Sequence, residues 1–393
     1  MMRIAFYSQH VLGAGHYFRS LEIASSLAPH QVHMICGGTS VEADMPPNTK
    51  RHFLPELMMD SEFKTLLSEE PLEEVREERK KRLMDIMRDV RPDLFLVELF
   101  PFGRKKFGFE LLPVLNALGS GELPPCPAVV SLRDILVEKK DQDKFETRVL
   151  KHLELFHGIL VHADPKLATL EETFSRVRDI QVPISYTGYV TPKPRQGQGK
   201  AIRARLGLDA ADKLILASAG GGNVGGDFLR AVLEGSIVMA KNTRHMLLMF
   251  TGPFLPDGEF EAVSNRAQEH GHIRVERFTN AFLEHLDAAD LSVSMAGYNT
   301  SMNLLSSGTY GLVFPFAQNR EQGMRAARLE KLNVLGVLAQ EDLESSRLAE
   351  RMRQGLAMGP PPGHGLNLDG GQGASQALAS IVSRWREANH GQV

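Results

Sequence analysis

The sequence predicts an α/β protein of two tandem, Rossmann-like, doubly wound domains with a cleft between them. Three observations point there. Short apolar runs alternate with helical patterns through the first half, the signature of parallel strands joined by crossover helices. The alternation restarts after the linker-like stretch "TPKPRQGQGK". Both halves open on a strand that runs into a glycine turn and then a helix. With 393 residues, 42% of them hydrophobic, the chain is long enough for two separate cores.

The first strand is Ile4-Ala5-Phe6-Tyr7, and "HVLGAGHYFRSLEIASSLA" follows it. Phe18, Leu21, Ala24 and Ala28 recur on one helical face, so a helix begins near His16. Further strands are expected at residues 31–36, 93–99, 128–132, 158–162 and 180–185. Between Pro55 and Arg91 lies a longer, charge-dense helical section whose charges read as a solvated face with i,i+4 pairs. The first domain is expected to span residues 1–190 and the second residues 191–372. In the second, strands are expected at residues 214–218, 246–251, 273–276, 291–295 and 311–316, with a helix from Asp227. After the breaker run "MGPPPGHGLNLDGG" a last helix, residues 374–388, carries Trp385; residues 373–393 are expected to pack back towards the first domain. In two doubly wound domains the default ligand site is the cleft at the carboxyl ends of the strands.

The formal charge of −3 gives no global basic field for nucleic acid or anionic lipid. The two cysteines, Cys36 and Cys126, have no metal-ligand spacing and fit a reducing compartment. No stretch approaches the roughly 20 apolar residues needed to cross a bilayer, and the chain starts directly on a strand. A cytoplasmic protein without a nucleic-acid partner is the expectation.

Four turns carry candidate chemistry. His16 stands at a helix N-terminus beside Gly13 and Gly15, where unpaired backbone donors favour anions and glycines admit close approach. Gly220, Gly221, Gly222 and Asn223 follow the first strand of the second domain in "ASAGGGN" and expose amides suited to a pyrophosphate. This run fits G-x-G-x-x-G, but the next strand ends "MFTGP" without the acid that binds a ribose, and no G-K-[ST] follows. In "SVSMAGYNTSMN" a strand ends at Ser294 and Met295, and Asn299 or Thr300 caps a short helix that carries Asn303. Glu321 and Gln322 open a further helix after "PFAQNR". Asp141-x-Asp143 and His270-Gly-His272 read as solvated or loop residues rather than metal ligands. Residues 99–115 interleave Phe100, Phe102, Phe107 and Phe109 with Arg104, Lys105 and Lys106, which reads as core packing plus an exposed basic turn; weak peripheral contact with a membrane is the other reading.

Taken together, "GAGH", "SAGGGN", "SMAGYNTSMN" and "PFAQNREQ" resemble the glycosyltransferases of the two-Rossmann GT-B architecture. The likeness is to the MurG-like enzymes that transfer N-acetylglucosamine from UDP and to bacterial predicted glycosyltransferases of that superfamily. It implies an inverting transferase that uses a nucleotide-diphosphate sugar and no bound metal or other cofactor, with the donor on the second domain and the acceptor on the first. His16 would be the general base. Ser218 and Gly220 to Asn223 would lie by the donor phosphates, Phe278 against the base, Ser294, Gly297 and Thr300 beneath the diphosphate, and Glu321 and Gln322 on the donor sugar. Two departures stand out: Asn303 occupies the place of a glutamate that grips both ribose hydroxyls, and "GYVTPKP" lacks the arginine found near the pyrophosphate.

The resulting expectation is transfer of a hexose or N-acetylhexosamine from a nucleotide-diphosphate donor, UDP-linked in the first instance, to a hydroxyl acceptor, lipid- or saccharide-linked, in cell-envelope polysaccharide synthesis. A PseG-type UDP-sugar hydrolase, which shares the G-x-G-H-x-x-R turn, a non-catalytic nucleotide-sugar-binding protein and a two-lobed epimerase are the alternatives.

Overall fold

The computed structural model describes residues 1–11, 15–39, 43–59, 65–137, 140–221, 225–316 and 319–389. Two compact units divide the chain, Met1–Val190 with Leu366–Val393, and Thr191–Gly365.

The first unit runs β1 (Arg3–Tyr7), α1 (Gly15–Ser26), β2 (Gln31–Cys36), β3 (Thr49–Phe53), the two-residue strands β4 (Met58–Met59) and β5 (Leu66–Leu67), α2 (Leu72–Val90), β6 (Leu94–Glu98), α3 (Gly108–Ser120), β7 (Ala128–Arg133), α4 (Gln142–Leu153), β8 (Gly158–His162) and β9 (Ile184–Tyr186). Apart from β4 and β5, these strands form one parallel sheet in the order β3-β2-β1-β6-β7-β8-β9. Strands β1, β6, β7 and β8 are apolar along nearly their whole length because helices cover both faces.

The second unit continues with α5 (Gln198–Leu206), β10 (Leu214–Ser218), α6 (Gly226–Met239), β11 (Met246–Phe250), α7 (Asp257–Gln268), β12 (Ile273–Glu276), α8 (Phe282–Ala288), β13 (Leu291–Met295), α9 (Tyr298–Ser307), β14 (Gly311–Phe314), α10 (Arg320–Lys331), β15 (Leu335–Val337) and α11 (Ser345–Met358). Its parallel sheet has the order β12-β11-β10-β13-β14-β15. In both sheets the order climbs away from the first strand in two directions, so each has a topological switch point: between β1 and β6, and between β10 and β13. Helices on either side of such a point leave on opposite faces, which opens a crevice at the carboxyl ends of the two strands.

The last helix, α12 (Gly370–Ala388), belongs to the first unit. Residues 366–372 also lie there rather than in the second domain, because Asn367 donates its N–H to Asp164 and Tyr189 donates to the Asn367 carbonyl. The strand expected at residues 180–185 is confined to Ile184–Tyr186. Pro183 cannot donate to a ladder and contributes only its carbonyl, to the Ile159 N–H. Among the described residues, no helix is long and apolar enough to cross a membrane.

Candidate active site

At the switch point of the first unit, α1 begins at Gly15 and puts His16 in its first turn, while β6 ends on Glu98. The carboxylate is fully buried, and its Oε1 lies 2.7 Å from His16 Nδ1 and accepts a hydrogen bond of 2.7 Å from Arg19 Nη2. A carboxylate accepts only, so Nδ1 carries the proton and Nε2 is left as the basic nitrogen of the neutral ring. The His16 side chain keeps 26% of its surface exposed, so the ring is reachable. Burial pushes it down to about 4 despite the opposing Glu98 charge, with the Arg104 and Arg19 guanidinium groups adding to the depression. Burial would raise the Glu98 carboxyl, but His16, Arg104 and Arg19 together hold it well below the usual range. The ring is therefore neutral at pH 7 and backed by an ionised acid, the arrangement in which a proton taken up at Nε2 is stabilised as it arrives.

Sequence reasoning found His16 and missed Glu98. The signal was an acid closing the apolar strand "LFLVE", where burial without a partner would be costly. Beneath this pair lies a second buried network. Arg79, fully buried on α2, donates Nε and Nη2 to Glu110 at 2.9 and 2.7 Å and a further bond to Gln9, and the Tyr7 hydroxyl donates to the same carboxylate. It ties α2 and α3 to Tyr7 at the end of β1 and to Gln9 just after it. Of the aromatic residues at 99–115, Phe100, Phe102 and Phe107 are core, while Lys105 and Lys106 face solvent.

At the switch point of the second unit, Ser218 ends β10 and its Oγ accepts the Gly220 N–H at 3.1 Å. Gly220 has φ +69°, and Gly225, the N-cap of α6, has φ +111° with room for a Cβ only 3.0 Å from that of Ala219. Both positions need glycine. The Gly221 carbonyl accepts from Phe254, and Phe254 and Phe278 are each about half exposed, at 48% and 46%. Gly13, Gly222 and Asn223 lie outside the described residues.

Across the same switch point, α9 starts at Tyr298 with Gly297 as its N-cap, and no side chain caps it. Asn299 or Thr300 was expected as the cap; both lie instead in the first turn, because the Gly297 carbonyl already accepts the Ser301 N–H at 3.0 Å. Asn303 follows one turn later, half-buried. Ser294 is fully buried, with its hydroxyl 2.8 Å from that of Ser292. Glu321 and Gln322 sit in the first turn of α10, and the Gln322 side-chain oxygen accepts the Phe316 N–H at 3.0 Å, holding the β14–α10 turn. Arg325, one turn on, is fully buried with its guanidinium 4.9 Å over the Tyr298 ring. Sequence reasoning looked for an arginine in the linker and overlooked this one in a charge-dense helix.

Asp141 is the N-cap of α4, accepting the Lys144 N–H. Among the described residues no group of three His, Cys, Asp or Glu side chains is placed to hold a metal ion.

Residues 220–361 match the model of the glycosyltransferase family 28 C-terminal domain. Those residues make up most of the second unit, Thr191–Gly365. Its family 28 match starts at the glycine turn and takes in the tips of α6, α9 and α10. Over 105 residues the chain is 33% identical to the UDP-N-acetylglucosamine--N-acetylmuramyl-(pentapeptide) pyrophosphoryl-undecaprenol N-acetylglucosamine transferase of Gloeobacter violaceus. That match covers 26% of this chain and spans only 29% of the relative's length. The whole chain has the fold of two-domain GT-B glycosyltransferases. The glycotransferase of kitacinnamycin superposes with a TM-score of 0.58 at 16% identity, covering 97% of this chain and 99% of the other. The calicheamicin glycosyltransferase CalG4 gives 0.58 at 14% identity, covering 98% and 99%, and MurG of Acinetobacter baumannii gives 0.55 at 14%, covering 98% and 100%.

Proposed function

We propose that this protein is an inverting glycosyltransferase that moves a hexose or N-acetylhexosamine from a nucleotide-diphosphate sugar, UDP-linked in the first instance, to a hydroxyl of its acceptor. The observation that carries the reading is the His16–Glu98 pair at one switch point, in a chain whose other switch point is built of glycine turns and helix tips of the family 28 domain. Displacing a nucleotide diphosphate from an anomeric carbon needs a base for the incoming hydroxyl and positive potential for the departing charge. His16 Nε2 takes the hydroxyl proton, Glu98 stabilises the imidazolium, and the oxygen attacks from the face opposite the leaving group, which inverts the centre. The amides at Gly220 and Gly221 and the α6 and α9 tips face the diphosphate, so the charge is met without a metal ion. Phe278 lies against the base, Asn303 against the ribose, and Glu321 and Gln322 against the sugar.

Incubation with UDP-, GDP- and dTDP-sugars and a cell extract tests this directly. A product that requires donor and extract together, forms in the presence of EDTA and carries the inverted anomeric configuration is the expected result. Free sugar released at full rate without extract would make the protein a hydrolase, in which the same base activates water. Tight UDP binding with neither outcome would make it a binding protein.

A further inference from the structure

The connection that leaves β6 does something its sequence does not require. Leu99 and Arg104 both have left-handed backbone, at φ +66° and +53°, a region that side chains other than glycine and asparagine rarely occupy. Lys105 and Lys106, next in the chain, are exposed to solvent as basic residues of a turn should be. Arg104 instead folds back over the strand end, with only 7% of its side chain exposed.

Among the described residues its charge is met only by a long ion pair to Glu98, whose Oε2 is likewise buried without a hydrogen bond. The Arg104 Nε and Nη2 are buried without a hydrogen-bond partner. The nearest acid oxygen, Glu98 Oε2, is 3.8 Å from Nε, close enough for attraction and too far for a hydrogen bond. Glu98 is already committed through Oε1 to His16 and Arg19. Two guanidinium groups thus stand against one carboxylate, beside a neutral imidazole. Buried charged donors are ordinarily paired, and one left without an acceptor marks the place of a missing oxyanion. Planar guanidinium matches phosphate and carboxylate oxygens in particular.

We propose that Arg104, backed by Arg19, binds an oxyanion of the acceptor, a phosphate or a carboxylate carried close to the hydroxyl that His16 deprotonates. This rests on the reading of the first unit as the acceptor-binding side. The acceptor is then an anionic sugar, lipid phosphate or acid rather than a neutral glycoside. The anion anchors the substrate and fixes which hydroxyl reaches His16 Nε2, so Arg104 is a specificity-determining residue.

The test has two arms. In the first, binding of inorganic phosphate, pyrophosphate and acetate is measured by calorimetry with UDP at saturation, so that the donor site is filled. At least tenfold weaker binding of one of these anions to Arg104→Gln than to the wild type, with partial recovery in Arg104→Lys and unchanged UDP affinity, is expected; phosphate against acetate tells which oxyanion is preferred. Equal binding to wild type and Arg104→Gln, or no anion binding by the wild type, overturns the proposal. The second arm needs no variant. Sugar label transferred to an extract is passed over an anion exchanger after removal of donor: retained product supports the proposal, and product in the flow-through overturns it while leaving the transferase reading intact. No labelled product from any donor defeats the transferase reading itself.

Discussion

The two switch points solve opposite problems with opposite materials. In the first unit ionisable side chains gather at the strand ends: His16, Arg19 and Arg104 all stand against the buried Glu98 carboxylate. In the second unit the same positions carry glycine and small polar residues, Ser218, Gly220, Gly221, Gly297 and Thr300, with one fully buried cation, Arg325, set behind the α9 tip. Side-chain charge is what proton transfer needs, because it can be gained and lost. Main-chain amides cannot titrate, so they are suited to holding a permanent diphosphate with little reorganisation. One topology used twice thus supports a titrating half and a non-titrating half.

The sharpest way to break the comparison is to remove the centre of the titrating half. Glu98→Gln leaves two buried guanidinium groups without their carboxylate and should cost about 3–5 kcal/mol in chemical unfolding. A loss under about 1 kcal/mol would mean that the cluster is solvated. His16→Ala should lower kcat by at least about 10²-fold, the typical contribution of a general base, while donor affinity stays as it was. Unchanged turnover would remove the assigned role.

On the non-titrating side, Gly225→Ala forces both a left-handed alanine and a 3.0 Å contact with Ala219, whereas Gly220→Ala meets open space and only the backbone penalty. The first should destabilise by about 2 kcal/mol and the second by about 1 kcal/mol, measured as urea midpoints at constant slope. Equal effects would mean that the α6 cap relaxes freely.

Acid sharpens the contrast further. His16 and His33 are pushed down by burial to about 4, and His162 to about 3, from 6.5 in the unfolded chain. The unfolded state therefore binds more protons as pH falls from 6.5 towards 4. Stability is fully present above 6.5 and is lost on acidification, by roughly 1.4 kcal/mol per pH unit for each group that titrates only when unfolded. His16→Gln should flatten that slope by about one proton; an unaltered slope would show that the ring is protonated in the folded chain. The smallest effect belongs to Asn303→Glu, which sits half-buried and should shift stability by no more than about 0.5 kcal/mol. Its readout is UDP affinity, since a carboxylate accepts from both ribose hydroxyls and an amide cannot.

Periodicity reveals what burial on both faces produces, and so the central strands of both sheets were legible as apolar runs. Strand β3, "TKRHF", was not: it lies at the sheet edge, half of it exposed, and its basic residues are those that keep edges from pairing with other chains. The three-residue β15 is too short to show a pattern. His16 was legible because glycines frame it. Glu98, Arg104 and Arg325 were not, because each becomes meaningful only through a partner distant in sequence or through a backbone angle. Ser294 looked like a strand-end ligand and proved to be interior, since alternation along a strand buried on both faces gives no hint of which side chains reach its end.

Helix α12 packs Ala374, Leu378, Ile381 and Val382 onto Ile4, Phe6, Leu94, Val129 and Leu160 of the first sheet, and it comes so near β8 that a side chain at Gly158 would strike Ile381. A strand made before the second unit is therefore covered by a helix made after it. Synthesis delivers the whole second unit before the first sheet has its final wall, so that sheet must wait with an oily face bare. Any message broken off ahead of residue 370 yields a protein whose second unit is complete and whose first sheet, lacking α12, is fit mainly for chaperones and proteases.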